Sequence, residues 1–549
     1  MAETKIKSSF FAGLLLLLLL YVPGLSAQDG RFAMEWSRTD MDSTIVLRRP
    51  LGPSARKVEK IIAAAQPQMA YLKEVVGYAP QEMSKYPPQS PLSNWFADSM
   101  LEMAERLTGE RCDVSVNNFG GIRTDMPSGD IVVSDLLSMF PFKNYVTILR
   151  MRGSKLMEFF SWLASTQWQV LGGVQIECDG PEILSVRIGG EPLQEDKLYT
   201  VETNSFLLNG GDGIYLRDMA EECRILEYDN YDALLQLLRE KKERGIQIAA
   251  SIDDRIVDRG AKPFRGPKIA KKKDRAEISA QGGPDAAVMP SLVILHTNDM
   301  HSHVEPVRGG KDDNRGGFVR IAAFVDSIRT VYGRGNVLVV DAGDWDQGSP
   351  YFTIFGGALE RDCMNAIGYD AAAIGNHEWD NGPFALRDRL RKASFKPLLC
   401  NYMYNDFPGF EKVVKPYAIV RRGGLKIGLI GVLSDVTSTV DEFNREKLCY
   451  RDPSLCINPL ASFLKNDKGC DLVIVLSHCG YDGAPGNPGD TEYVCSLRNV
   501  DIIVGGHTHT DLRRARWLSD ADGRSVMIVT DHRWGLHVGQ INVYDKQKQ

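Results

Sequence analysis

Apolar residues recur at helical spacing early in the chain, at Val58, Ile61, Ile62, Ala65, Met69, Leu72 and Val76, and predict one amphipathic helix there. A second helical pattern runs through Leu92, Phe96, Met100, Met103 and Leu107. Ser90 caps it, Pro91 sits in its first turn and Gly109 stops it. Short apolar runs at Val114–Val116, Tyr145–Leu149, Val174–Cys178 and Leu198–Thr203 then read as strands. This mixture predicts an α+β domain over residues 28–262. Beyond residue 290 the pattern changes to apolar strands alternating with helices. Leu292–Leu295, Val337–Val340, Ala371–Ile374, Leu472–Leu476 and Ile502–Val504 each run into a polar loop, so residues 290–549 read as an α/β domain. Sites in such sheets assemble at the carboxyl ends of the strands.

Two further segments break the pattern. From 263 to 289 the chain is rich in Pro, Gly and Lys without apolar periodicity and reads as a linker, and its basic run Lys268–Arg275 reads as solvated. At the N-terminus, Lys5 and Lys7 precede an apolar run from Phe10 to Val22, too short to span a bilayer comfortably, and Ala27 offers a cleavage point. Residues 1–27 are therefore expected to be a signal peptide, with a periplasmic or secreted product and no stable membrane span after cleavage. Ten cysteines are compatible with that address, and Cys449 and Cys456 flank a short segment that a disulfide could close.

Over the 549 residues, 43% are hydrophobic and 25% charged, which are globular values. The net charge of −6 speaks against a polymer-binding protein that relies on phosphate contacts. The nine histidines change the picture more, because all of them lie at or after His296. Metal or acid–base work is thereby assigned to the second half.

The five polar loops carry Asp299-x-His301, Gly343-Asp344, Gly375-Asn376-His377-Glu378-Trp379-Asp380, Ser477-His478 and Gly506-His507-Thr508-His509. Residues two apart on extended chain point the same way, so Asp299 with His301, and His507 with His509, can face one centre together. Asp299, His301, Asp344, Asn376, His478, His507 and His509 make a seven-ligand set for two divalent ions if one carboxylate bridges. Such a pair lowers the pKa of bound water and clamps the oxygens of an in-line displacement at phosphorus. Asp346 is an alternative bridge to Asp344, and Asp341 reads as a supporting or strand-capping residue. His296, His303, His532 and His537 read as surface or satisfied core groups.

These loops, in this order, resemble the calcineurin-like metallophosphoesterase domain of the 5′-nucleotidase family. The resemblance implies a metallophosphoesterase-type α/β sandwich in the C-terminal half. It implies Asp344 as the bridge, Asp299, His301 and His509 on one metal, and Asn376, His478 and His507 on the other. It makes His377 the catalytic histidine, oriented by Asp380. His, Asn and Asp donors suit zinc, manganese, iron or cobalt alike.

The first half resembles the family's substrate-binding domain, which implies a nucleotide-binding role. Asn117-Asn118-Phe119-Gly120-Gly121-Ile122-Arg123 is similar to its Asn-Gly-Gly-Gly-Ile-Arg loop, Phe140-Pro141-Phe142 to its Leu-Pro-Phe segment, and Phe206 to Gly213 to its Phe-x-x-Asn-Gly-Gly-Asp-Gly loop. Carried over, Phe142 and Phe206 sandwich the base, Asp212 accepts from ribose hydroxyls, Asn118 contacts the base and Arg123 reaches the phosphate. Flat aromatic faces and a guanidinium fork suit those roles. Two features depart from the family: the domain order is inverted, and no Arg stands at Tyr86-Pro87-Pro88-Gln89-Ser90-Pro91, where relatives carry one. The expected activity is removal of the 5′-phosphate from nucleoside monophosphates. Cyclic-nucleotide phosphodiesterase/3′-nucleotidase, UDP-sugar diphosphatase and a vestigial nucleotide-binding surface protein stay open, as does the oligomeric state.

Overall fold

A computed structural model describes residues 30–47, 51–260, 289–404, 406–483 and 487–547. The expected signal peptide and, apart from Met289, the expected linker lie outside the described residues. No helix among the described residues is long and apolar enough to cross a membrane.

The C-terminal half is built on two six-stranded sheets. The first has the order Phe32–Asp40, His537–Asp545, Leu292–Thr297, Val337–Asp341, Ala371–Ala373, Lys396–Leu398. The second runs Tyr417–Arg422, Leu425–Leu433, Leu472–His478, Ile502–Gly505, Ser525–Val529, Arg516–Ser519. One buried cluster joins their facing sides: Ile294, Leu338 and Val340 from the first sheet meet Ile427, Leu429, Ile474 and Val504 from the second. The five strands expected from the sequence thus divide between two layers, three in one and two in the other. Their carboxyl ends still converge on one edge.

The N-terminal half carries a five-stranded sheet in the order Glu222–Asp229, Tyr145–Arg152, Leu198–Asn204, Val114–Asn117, Val170–Gly172. Val174–Asp179 enters a separate four-stranded sheet. The helix Pro91–Thr108 begins and ends where its caps predict. The Ser90 side chain accepts from the Ser93 N–H, and Gly109 closes the helix in a left-handed conformation at φ 70°. The helix expected through Val76 ends earlier. It spans Pro53–Ala65, tightens to a 3₁₀ helix over Gln66–Lys73, and gives way to the strand Val75–Ala79. Pro67 explains the break, since its ring and missing N–H are incompatible with continued α-helical hydrogen bonding.

The opening strand Phe32–Asp40, within the expected first unit, pairs antiparallel with His537–Asp545 along its whole length and so lies in the sheet of the second. Trp36 on that strand is buried and donates from Nε1 to His296 Nε2 at 2.9 Å. The following helix Pro53–Ala65 packs on Phe318–Tyr332 and Ala358–Ile367. Asp326 caps it from that distant element, accepting from the Ser54 and Ala55 N–H groups at 2.8 and 3.2 Å. The disulfide that Cys449 and Cys456 could have formed is not made: Cys449 lies on the strand Cys449–Tyr450, Cys456 within the helix Pro453–Ser462, and both thiols are free.

Candidate metal centre and substrate cleft

The seven expected ligands come together at the carboxyl edge of the two sheets. Among the described residues, three groups of donor atoms lie close enough to hold an ion: Asp299, His301 and His509; His301, Asp344 and His377; and Asp344, His478 and His507. The first and third are subsets of the two expected ligand sets, with Asp344 in the third. Asn376 completes the third group, its Oδ1 2.9 Å from His507 Nδ1. The second group holds His377, expected as a non-ligand.

The backbone is shaped for this cluster. Asp299, His301, Asp344, His507 and His509 all have φ between 46° and 76°, a region that non-glycine residues rarely occupy. Such conformations persist where surrounding structure enforces them, and they concentrate at functional sites. Glycines let the loops close in: a Cβ on Gly375 would lie 2.2 Å from Asp344 Oδ1, and one on Gly506 3.0 Å from Asp299 Oδ2.

The electrostatics suit cations. His301 Nε2 and His509 Nε2 face each other at 2.9 Å, two nitrogens that need a shared proton or ion between them. His478 Nδ1 is 2.8 Å from the Ala342 carbonyl, which fixes the ring and turns Nε2 to within 3.0 Å of Asp344 Oδ2. That buried Nε2 has no aligned hydrogen-bond partner. Burial works against its charged form, yet Asp344 and Asp299 push His478 up to about 10. Burial likewise pushes the Asp344 carboxyl up, but His478, His377 and His301 together hold it well below the usual range. For His507 burial dominates, assisted by His478, and its pKa falls to about 4, leaving a neutral ring able to ligate. These donors fit divalent ions of the kind the sequence suggested.

His377 lies beside the cluster. Its N–H donates to Asp344 Oδ1 at 2.9 Å, and its Nδ1 lies 2.9 Å from Asp380 Oδ2, which fixes one tautomer. Asp346 sits apart from the donor groups, ion-paired with Arg389. Asp341 accepts from the Gly343 N–H at 2.8 Å and from the Thr297 hydroxyl, supporting the loop. Sequence reading gave Glu378 no role, although it stands inside the Gly-Asn-His-Glu motif. Its buried carboxyl accepts from the N–H groups of Asp344, Gly375 and Asp346 at 3.0, 2.5 and 3.1 Å, lashing two loops together. His296, His303, His532 and His537 all have protein partners: His296 bonds Trp36, His303 stacks on Trp534, His532 contacts the His509 carbonyl and His537 pairs with Asp40.

The first half supplies the opposite wall. Arg123 Nη2 lies 3.2 Å from His301 Nε2, and the Phe142 ring lies 5.7 Å from the His377 ring. Arg123 also stacks over Phe142. Asn118 donates from Nδ2 to Asp212 Oδ2 at 3.1 Å, and Asn204 Nδ2 bridges Asn117 and Asn118. Phe206 lies under the Gly210–Gly213 turn, so close that a Cβ on Gly211 would meet its ring at 2.4 Å. Arg123 and Phe142 thus meet the metal-ligand cluster, while Asn118, Asp212 and Phe206 form a group farther along the same domain.

A mixed α/β architecture with clustered His and Asp donors at one sheet edge defines a metallophosphoesterase. Residues 292–511 are a calcineurin-like phosphoesterase domain, and residues 71–221 are a 5′-nucleotidase C-terminal domain. They stand in inverted order relative to known 5′-nucleotidases. Among curated relatives, the 5′-nucleotidase of Bos taurus is 31% identical over 281 residues, covering 47% of this chain and 47% of that protein. The snake venom 5′-nucleotidase of Gloydius brevicauda is 33% identical over 276 residues, covering 46% of this chain and 45% of that protein. Among solved structures, the 5′-nucleotidase precursor from Thermus thermophilus is 33% identical, with a TM-score of 0.40 over 45% of this chain and 50% of that chain. The matched segments span about half the length of these relatives.

Proposed function

We propose that the chain is an exported nucleotide phosphohydrolase that works with two divalent ions and releases phosphate from nucleoside 5′-monophosphates. The observation that carries the reading is the meeting of Arg123 and Phe142, from one domain, with His301 and His377, from the other. A phosphate at the metal ligands would lie within reach of a guanidinium, and a base leaving that point would run toward aromatic faces. Asp299, His301 and His509 would hold one ion, and Asn376, His478 and His507 the other, with Asp344 between them. When bound, the ions would supply Lewis-acid activation of water and charge neutralisation at phosphorus.

The protein's own residues do the rest. Asp380 holds His377 through Nδ1, leaving Nε2 to face the transition-state charge or the leaving oxygen. Arg123 neutralises a non-bridging phosphate oxygen. Phe142 and Phe206 sandwich the base, Asp212 receives the ribose hydroxyls, and Asn118 contacts the base while holding Asp212 in place. The mature chain should hydrolyse AMP in preference to UDP-glucose, a 2′,3′-cyclic nucleotide and 4-nitrophenyl phosphate, and chelator should abolish all turnover. His377→Ala should lose turnover while keeping its metal content. A chain that cleaves the cyclic nucleotide or UDP-glucose faster than AMP, or turns over undiminished without metal, would overturn the reading.

A further inference from the structure

A cavity of about 790 Å³ lies where the two sheets of the C-terminal half come to an end, drawing its walls from both. The first sheet ends with Lys396–Leu398 and the second with Tyr417–Arg422. The border of the first is taken by Lys415, whose N–H donates to the Pro397 carbonyl at 3.1 Å and whose carbonyl accepts from the Leu399 N–H at 2.9 Å. The second border is open. Tyr417–Arg422 pairs with Leu425–Leu433, and among the described residues no strand pairs with its other side. Burial shows the difference: Tyr417, Ala418, Ile419 and Val420 are half-buried, whereas residues 427–433 beside them are all buried. Leu390, Phe395 and Pro397, all buried, form the apolar floor of the cavity, and Ala418 and Ile419 form its side. Four cations, Arg391, Lys396, Lys412 and Lys415, stand among the lining residues, and among the described residues no carboxylate does. Arg391 is paired with Asp388, and Lys415 Nζ donates to the Glu411 carbonyl at 2.7 Å. Lys396 and Lys412 are exposed and have no ion-pair partner among the described residues.

An edge strand presents a row of N–H and C=O groups that another chain can pair with, and proteins blunt such edges with a charge or proline in the strand or with a cover. Over Tyr417–Val420 the strand carries neither charge nor proline. Charge decides between occupants. A second copy docking through the same edge would bring four cations of its own against these four. The chain's own segment 263–289 carries Lys268, Lys271, Lys272 and Lys273, which the same cations oppose. We infer that this edge is a docking site for an acidic, extended peptide of a partner protein, added as a strand beside Tyr417–Arg422. Backbone pairing supplies affinity in this mode, and side chains at alternate positions supply specificity. Apolar side chains of the peptide enter the cavity over Leu390 and Phe395, and its carboxylates meet Lys396 and Lys412. The lining shares no residue with the metal-ligand cluster or with Arg123 and Phe142, so the inference stands apart from the nucleotide reading.

The test is fluorescence anisotropy with the full chain and a labelled peptide of alternating Glu and Val, about seven residues long. The acidic peptide should bind saturably, and a counterpart with Lys in place of Glu should not. Two further versions carry methyl groups on the backbone nitrogens, one at every Val and one at every Glu. Only every second residue of an added strand turns its N–H toward the edge, so one version should lose binding and the other keep it. Lys396→Glu and Lys412→Glu together should weaken the acidic peptide about tenfold while leaving the thermal unfolding midpoint at the parent value. The docking site is refuted if the acidic peptide shows no saturation below about 1 mM, or if the Lys peptide binds as tightly. Equal binding of the two methylated versions would reduce the contact to surface charge and overturn strand addition. Affinity that survives both charge reversals would place the peptide elsewhere on the molecule.

Discussion

Gly375→Ala adds one methyl group at the strand end where the proposed bridging carboxylate is seated. An ideal Cβ there lies 2.2 Å from Asp344 Oδ1, 2.5 Å from Asp344 N and 2.9 Å from Asp344 Cγ. To clear the 3.0 Å limit below which such contacts are not found, carboxylate and methyl must separate by roughly 0.8 Å. Neither loop can yield alone, because Glu378 Oε2 binds the Gly375 N–H and the Asp344 N–H at once, and Asp344 Oδ1 also receives the His377 N–H. Metal–oxygen bonds are about 2.0–2.2 Å long and tolerate roughly 0.2 Å of error, so the displacement is several times what a ligand can absorb. Misplacement on this scale costs about a hundredfold in rate. Elemental analysis should therefore find substoichiometric metal in Gly375→Ala, and hydrolysis of 4-nitrophenyl phosphate should fall about a hundredfold. Gly335→Ala, where nothing lies within 4 Å of the added carbon, is the control and should match the parent. A Gly375→Ala protein with full metal content and a rate within about threefold of the parent would show that Asp344 is not a ligand.

Two further outcomes concern stability. Asp326→Ala removes the cap that Ser54 and Ala55 use at the start of their helix, where Gly52 offers no side chain of its own. It should cost about 1–2 kcal/mol in urea denaturation; Asp326→Asn, which keeps an acceptor, should recover most of this, and equal losses for both would refute the capping role. Glu202 is buried, accepts from Ser115 and Asn117, leaves Oε1 unpartnered, and burial pushes its carboxyl up to about 8. The folded chain then keeps a proton that the unfolded chain releases, so stability should fall as pH rises from the ordinary carboxylate value to about 8, by up to about 1.4 kcal/mol per pH unit, and level off above. Glu202→Gln should flatten that part of the profile of denaturation midpoint against pH; an unchanged slope would count against it.

The helix Pro91–Thr108 was legible to the residue because its signals are local: a cap, a proline and a glycine each act within one turn. The convergence of the His and Asp donors was legible for a different reason. Asp and His at the ends of apolar strands must emerge on one sheet edge, whichever sheet each strand joins. Glu378 escaped because its work is done by backbone N–H groups, which carry no residue signature. Val76 misled because its helical spacing outlasted the helix, which Pro67 had already broken.

The partner of Phe32–Asp40 was illegible because it lies some five hundred residues away in the chain, and that pairing ties the two halves together across the inverted order. Read along the chain, the matched segments 71–221 and 292–511 are separated by seventy residues. In space the two halves meet first through a nine-residue strand pairing, from Phe32 opposite Asp545 to Asp40 opposite His537. Arg31 then clamps Asp545 and Asp471, and the Lys546 N–H donates to the Arg31 carbonyl. The helix Pro53–Ala65 continues the attachment on the flank of the first sheet, and Arg308 reaches back to Asp135 at 3.1 Å. The half that carries the 5′-nucleotidase C-terminal domain therefore grows out of the phosphoesterase sheet itself. Arg123 and Phe142 are aimed at the ligand cluster by packed strand and helix, so the position of the long connection in the chain has no bearing on where they point.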